Sequence, residues 1–422
     1  MAREDVISYI EGRKRELVEF CCSLIRIPSE NPPGDVSSVA AAIEEWLEAR
    51  GFSVDKHEPE RGRVNLVAKI GAGKPVLVLD GHMDVVPAGD PSKWSFDPYC
   101  GEVRGGRILG RGSADVKGGL TSLIFAFDAL SRIEEELSGT LVLAAVADEE
   151  TGGSLGTGWL LERGILECDA CLVAEPSGTA AAFLGEKGFC WLEVRARGAP
   201  AHASLPMLGE NAIEKAARVI PVLKRVESME VDVPEELEDV IASSGEVYAE
   251  MARERGASRE AIEALAKVAG MYTVNIGIVR GGTKINVVPE SCALQVDIRI
   301  PPGGSLKSVR EIVRELLDRA GLKGLEVEFL AGSEPSYTPP KERICESLLE
   351  SIRDVLKTEG RLLCITGFTD ARFFRARGIP AVVYGPGELG AAHAYDEHVR
   401  IEDVVRATQV IACTALDYLT RQ

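Results

Sequence analysis

The chain has 422 residues, 45% hydrophobic and 27% charged, with a formal net charge of −18. That length exceeds one ordinary domain and predicts two, each able to bury a sizeable core. The balance excludes a disordered or membrane-embedded chain, and so acidic a surface with no local basic patch disfavours nucleic acid as a partner.

The N-terminal segment carries charges throughout and lacks the apolar stretch of a signal sequence. The uninterrupted apolar run at 141–147 is far short of the roughly 18 residues of a membrane span, so a cytoplasmic location is expected. Residues 3–25 place Val6, Tyr9, Ile10, Leu17, Phe20 and Leu24 at helical spacing. Asn31-Pro32-Pro33-Gly34 then forces a loop. A second helix over 37–50 stops at Gly51. Short apolar runs at 65–70, 75–79, 140–147 and 169–174 read as buried strands, with a helix over 117–130 among them. That alternation predicts an α/β fold: a mostly parallel sheet with helices on both faces.

From residue 189 the character changes. Strands at 189–197, 272–279, 291–300 and 325–330 and helices at 210–226 and 305–320 follow the order β-α-β-β-α-β, the ferredoxin-like pattern. Residues 229–268, acidic and helix-prone, read as an insertion within it. The expected organisation is a first domain in two parts, 1–188 and 334–422, interrupted by an α+β domain over 189–333. A helix at 343–356, a strand at 380–384 and a helix at 401–419 finish the first domain.

The chemistry is concentrated where strands end. In parallel α/β sheets ligands bind beyond the carboxyl ends of the strands. Strand 75–79 runs into Asp80-Gly81-His82-Met83-Asp84, and strand 140–147 into Asp148-Glu149-Glu150. Strand 169–174 leads to Glu175-Pro176, Asp115 precedes helix 117–130, and strand 380–384 leads towards His393. Each signal is weak alone, because acidic loops are usually solvated. Together, two histidines and three carboxylates suit two divalent ions about 3.5–4 Å apart with one carboxylate between them. The chain has only five histidines; His57 and His398 match no motif. Cys168 and Cys171 form a lone Cys-x-x-Cys that reads as buried thiols rather than a zinc knuckle, which needs a second pair.

Gly81-His82-Met83-Asp84-Val85-Val86-Pro87, Gly110-Arg111-Gly112-Ser113-Ala114-Asp115-Val116-Lys117-Gly118-Gly119, Asp148-Glu149-Glu150, Glu175-Pro176, Gly282-Thr283-Lys284-Ile285-Asn286-Val287-Val288-Pro289 and His393 resemble a known family over nearly the whole chain. These are the dizinc peptidases and amidohydrolases that include acetylornithine deacetylase, succinyl-diaminopimelate desuccinylase, aminoacylase and glutamate carboxypeptidase. The resemblance implies that His82, Asp115 and Glu175 hold one zinc, and that Asp115, Glu150 and His393 hold the other. Cobalt or manganese would suit the same ligands. Asp84 would orient the His82 imidazole, and Glu149 would be the general base for a metal-bridging hydroxide. Neighbours in an extended loop point in opposite directions, which would let Glu149 and Glu150 do different jobs.

The inserted domain would be a lid and dimerisation domain of a homodimer. Its His202, in Gly198-Ala199-Pro200-Ala201-His202, would donate to the oxyanion, from its own or the partner subunit. Asn286 and Arg299 resemble residues that hold the substrate carboxylate, although Asp297-Ile298-Arg299 reads equally as a structural ion pair. The expected substrate is a small N-acyl amino acid or short peptide. Thr366-Gly367-Phe368-Thr369-Asp370 matches the family's substrate loop only loosely, and the 229–268 insertion lies outside the minimal pattern.

Two rival readings remain. Gly152-Gly153-Ser154-Leu155-Gly156 matches the serine-hydrolase elbow, and Ser154, Asp370 and His393 fall in the matching order. The elbow needs a strand directly before it, however, and Asp148–Thr151 intervene. A non-catalytic metal-bound interaction protein would leave Glu149 unexplained.

Overall fold

The run Thr140–Val146 becomes a strand buried along nearly its whole length, as expected where both faces of a sheet are covered. In this computed structural model, which describes residues 2–388 and 390–420, that strand lies inside a mixed sheet. On one side it pairs antiparallel with Asn65–Gly71, which pairs antiparallel with Val54–His57. On the other side Val76–His82, Ala170–Val173 and Ala381–Val383 follow in parallel. Ala181–Glu186 then joins antiparallel at Val383↔Phe183.

Helices flank this sheet. Lys117–Ser131 is buried from Lys117 to Leu130 and packs against Val76–His82 and the C-terminal helix Ile401–Thr420. The expected helix over 3–25 is two helices, Ala2–Gly12 and Lys14–Ile25. The break falls at Arg13, which leaves helical geometry (φ −103°, ψ 5°) directly after Gly12, a poor helix former. Each half buries its own apolar stripe, Val6 and Ile10 in the first, and Leu17, Phe20, Leu24 and Ile25 in the second.

The chain divides into two units by its internal contacts. One comprises the residues up to Leu184, Thr338–Leu363 and those from Thr369 onward; the other is Gly185–Tyr337 with Cys364–Phe368. The second unit has an antiparallel sheet in the order Thr273–Gly281, Ser291–Ile300, Gly188–Arg197, Leu325–Ser333. Alternate residues of the inner strands (Cys190, Leu192, Val194; Leu294, Val296, Ile298) share a core with the helices Ala212–Lys224 and Leu306–Arg319. Asn211 caps the first helix by accepting from Ile213 N and Glu214 N. Ser305 and Ser308 form a reciprocal capping box on the second. The acidic insertion carries two helices, Glu238–Glu254 and Arg259–Leu265. Among the described residues no helix is long and apolar enough to cross a membrane.

Leu143, 1% exposed at the middle of the first unit's sheet, tests this core. Leu143→Ala is expected to destabilise the transition of that unit by about 2–5 kcal/mol. Urea unfolding followed by circular dichroism measures it, and a loss below about 1 kcal/mol would contradict the burial described.

Candidate metal centre

Register explains why distant segments meet. In the parallel pairing His82 stands opposite Val146, and Asp80 stands opposite Val173. Two residues beyond those positions lie Asp148 and Glu175, which sets Glu175 level with His82 and Asp148 two residues further on, so three strands release polar residues at one edge of the sheet. Asp148 adopts a left-handed conformation (φ 75°). It sustains this with a carboxylate that accepts from Thr151 Oγ1 at 2.7 Å and Leu155 N at 3.1 Å. Glu149–Thr151 is a tight 3₁₀ turn rather than the expected extended loop. The turn gives the two glutamates different surroundings: Glu149 is buried, while Glu150 accepts from Val86 N through Oε1.

Asp115 arrives from another direction, just before helix Lys117–Ser131. Close approach of that helix to its leading loop depends on Gly118, where a Cβ would sit 2.3 Å from Ser113 O.

Two groups of side chains converge on Asp115. Its Oδ1 lies 3.2 Å from His82 Nε2, which is 3.6 Å from Glu175 Oε1. Its Oδ2 lies 3.2 Å from His393 Nε2, which is 3.3 Å from Glu150 Oε2. Asp115 thus turns one oxygen to each histidine. Within each group, His82–Asp115–Glu175 and Asp115–Glu150–His393, one donor atom per residue lies within 4.8 Å of the others. Imidazoles and carboxylates are the donors expected of a divalent ion such as zinc, cobalt or manganese, and the shared carboxylate fits a pair of them.

Electrostatics fit the same occupants. Burial pushes the Asp115 carboxyl up, but hydrogen bonds from His393 and His82 outweigh it and hold it below the ordinary range. Burial and then the Asp115 charge raise Glu175 to about 8 and also raise Glu150. Burial and then the charge of Glu175 push Glu149 well above the usual carboxylate range. Hydrogen bonds to Asp115 and Glu150 lift His393 to about 11. Burial pulls His82 down, yet its bonds to Asp115 and Glu175 outweigh that. Metal-free, this cluster keeps protons to offset its own repulsion; divalent cations would replace those protons.

The expected carboxylate contact from Asp84 to the His82 ring is replaced by a main-chain one. His82 Nδ1 is hydrogen-bonded at 2.8 Å to the main-chain carbonyl of Asp84, whose carboxylate stands 3.6 Å from the ring. That carboxylate instead accepts from Glu149 N and Glu150 N, each at 3.2 Å, and from Asn31 Nδ2 at 2.8 Å. Asp84 therefore joins the end of one strand to the turn after the next. Asn31, which the sequence marks only as part of a proline loop, also donates to Thr151 Oγ1 at 2.9 Å.

Glu397, which no motif marks, and Arg111, which stands in a motif without an assigned role, support the surroundings of Asp115. Glu397, 1% exposed, accepts from Ala114 N and Asp115 N and pairs with Arg111. Arg111 also donates to His393 O at 3.4 Å and lies over the Trp94 ring. Together they tie the Asp115 loop to the His393 segment. Buried Lys117 donates to Leu24 O and Ile27 O, and burial pulls its ammonium down to about 7.

His202, Asn286 and Arg299 lie in the second unit. His202 is exposed and contacts Ser204 Oγ at 2.7 Å. Asn286 is exposed, and its carbonyl accepts from Ala203 N. Arg299 pairs with Asp297 at 3.0 Å. His57 lies against Trp159, and His398 Nδ1 is bonded to Asp396 O. Cys168 and Cys171 are free thiols; burial pushes Cys168 to about 12. The serine triad does not form. His393 Nε2 faces Asp115 and Glu150, and Ser154 Oγ leans on Asp148 at 3.5 Å.

Residues 78–417 match the family model described as peptidase family M20/M25/M40. The chain belongs to this family. It is a metal-dependent hydrolase acting on amide bonds. Among similar M20 chains is a probable succinyl-diaminopimelate desuccinylase of Staphylococcus aureus (strain MSSA476), 25% identical over 96% of this chain and 98% of that one. An M20 metallo-carboxypeptidase from Sulfolobus solfataricus has the same fold, with a TM-score of 0.81 and 22% identity over 96% of this chain and 100% of that one. So does a di-peptidase from Saccharomyces cerevisiae, with a TM-score of 0.79 and 17% identity over 100% of both chains.

Replacing Glu397 tests the tie that holds Asp115. Glu397→Ala is expected to weaken divalent-metal binding about 10–100-fold, measured by competition with a chromophoric chelator. Unchanged affinity would show that Asp115 is held without it.

Proposed function

We propose that this hydrolase cleaves the amide bond of a small N-acyl amino acid, as a deacetylase or desuccinylase does. A dipeptide or the C-terminal bond of a short peptide is the neighbouring alternative. The observation that carries the reading is the pair of donor groups sharing Asp115, with Glu149 buried beside them. The likeness to a chain named as a desuccinylase supports an acyl amino acid as the substrate.

In this reading His82, Asp115 and Glu175 hold one ion, and Asp115, Glu150 and His393 hold the other. Zinc is the first choice and cobalt or manganese the alternatives. Bound there, two such ions would acidify water and polarise the scissile carbonyl. Glu149 takes the proton of the attacking water and returns it to the leaving amine nitrogen as the C–N bond breaks. The hydroxyl stays on the acyl carbon, so no covalent enzyme intermediate forms. Asp84 keeps Glu149 and Glu150 in place through their main-chain N–H groups. His202 donates to the developing oxyanion, and Asn286 and Arg299 take the substrate carboxylate.

We also propose a cytoplasmic homodimer that joins through the second unit. Apolar side chains left in solvent there, Leu205, Met207, Leu208 and Ile285, support that surface.

A panel of N-acetyl and N-succinyl amino acids and dipeptides, assayed with zinc and with cobalt, tests the substrate. Glu149→Ala is expected to lower kcat by at least about 10²–10⁴-fold while both metals stay bound. His202→Ala is expected to lower kcat about 10²–10³-fold. Turnover at the parent rate in either variant would remove that residue from the mechanism.

A further inference from the structure

The acidic insertion looks peripheral in the sequence, yet its main helix is committed to one short segment. Helix Glu238–Glu254 buries Val240, Ser244, Tyr248 and Ala252, a four-residue spacing that defines a single face. Two polar groups on that face receive main-chain hydrogen bonds from Cys364–Phe368. Ser244 Oγ accepts from Cys364 N at 2.8 Å, and Tyr248 Oη accepts from Thr366 N at 3.1 Å. Between them, Lys187 N donates to Ile365 O at 3.1 Å. Lys187 Nζ is itself anchored where the insertion ends, on Val268 O and Met271 O. Successive residues of the segment are thus held by the insertion helix on one side and by Lys187 on the other.

The segment delivers Phe368. Its ring stacks on Phe189, with centroids 4.9 Å apart and planes at 30°. The Arg299 guanidinium lies over both rings, 5.6 Å from Phe368 and 5.9 Å from Phe189. Asp297 holds the same guanidinium by ion pair. An arginine flanked by a carboxylate and two ring faces has few rotamers left, so the placement of Phe368 bears directly on where the fork points.

We infer that the insertion helix is a positioning element: through Ser244 and Tyr248 it fixes the 364–368 segment, and through Phe368 it fixes the Arg299 guanidinium that reads a substrate carboxylate. The last step rests on the role proposed above for Arg299. The first is independent of it. Neither Ser244 nor Tyr248 touches a group placed in the catalytic machinery. Their effect belongs in substrate binding rather than in the chemical step.

Tyr248→Phe keeps the ring and removes one acceptor; Ser244→Ala removes the other. Hydrogen exchange read by mass spectrometry on the metal-loaded protein should show faster exchange at the amides of residues 364–368 in each variant. Kinetics on N-acyl amino acids and their carboxamide analogues should show KM for the free carboxylates raised about 3–10-fold, as for one lost hydrogen bond. The carboxamides should be unaffected, and kcat should stay within about twofold. Unchanged exchange would overturn the positioning role. Faster exchange with an unchanged KM, or with equal losses on both substrate series, would overturn the link to Arg299. A parent protein inactive on the whole panel would sink the proposed function instead, while the exchange data would still decide whether the insertion holds the segment.

Discussion

Parallel register in the larger sheet decides where the proposed metal donors of this protein sit. Val76–His82 and Thr140–Val146 end level with one another, and Ala170–Val173 ends two residues short of them, at Asp80. His82, the Glu149–Glu150 turn and Glu175 therefore leave the sheet together. A slip of one residue in any of these pairings would turn the side chains of that strand to the opposite face. Burial of the strands on both faces makes such a slip costly, so the apolar core and the polar rim are set by the same pairing.

Holding five ionisable groups this close demands support from outside the cluster. Much of it comes from groups that bond to the main chain beside the donors. The Asp84 carboxylate grips the N–H groups of Glu149 and Glu150. Glu397 grips those of Ala114 and Asp115. Arg111 links Glu397 to the His393 carbonyl. Bonds to the main chain leave the backbone beside each proposed donor little freedom, which would preorganise the site and reduce the entropy lost on binding a cation.

How much of this was legible in the sequence differs by residue, for physical reasons. The buried strands announced themselves, because strands covered on both faces read as continuous apolar runs. Val54–His57 did not, being short and polar, and the apolar runs within Ala181–Glu186 and Arg361–Ile365 are only four or five residues long, too short to stand out from a helix or loop. The two donor groups follow the motifs, since His82, Glu150 and Glu175 lie at or just past the end of a strand and Asp115 just before a helix, with His393 alone further along its loop. The partner of His82 Nδ1 was not legible: whether a carbonyl or a carboxylate takes that bond depends on the path of the backbone after the strand. Asn31 and Glu397 were silent for another reason, and Arg111, although inside a quoted motif, gave no sign of its partner. A polar residue is unremarkable in a sequence until the fold brings it against a buried main-chain group. Likewise, the acidic composition of 229–268 marks an insertion, but only the helix face shows that Ser244 and Tyr248 are turned towards residues more than a hundred positions away.

The central claim is that Asp115 lies between two divalent cations. Anomalous diffraction from crystals grown with zinc, with data collected on both sides of the absorption edge, tests it most directly. The account predicts two peaks about 3.5–4 Å apart, one on each oxygen of Asp115, with His82 and Glu175 completing one site and Glu150 and His393 the other. A single peak, or peaks away from these five side chains, would contradict it.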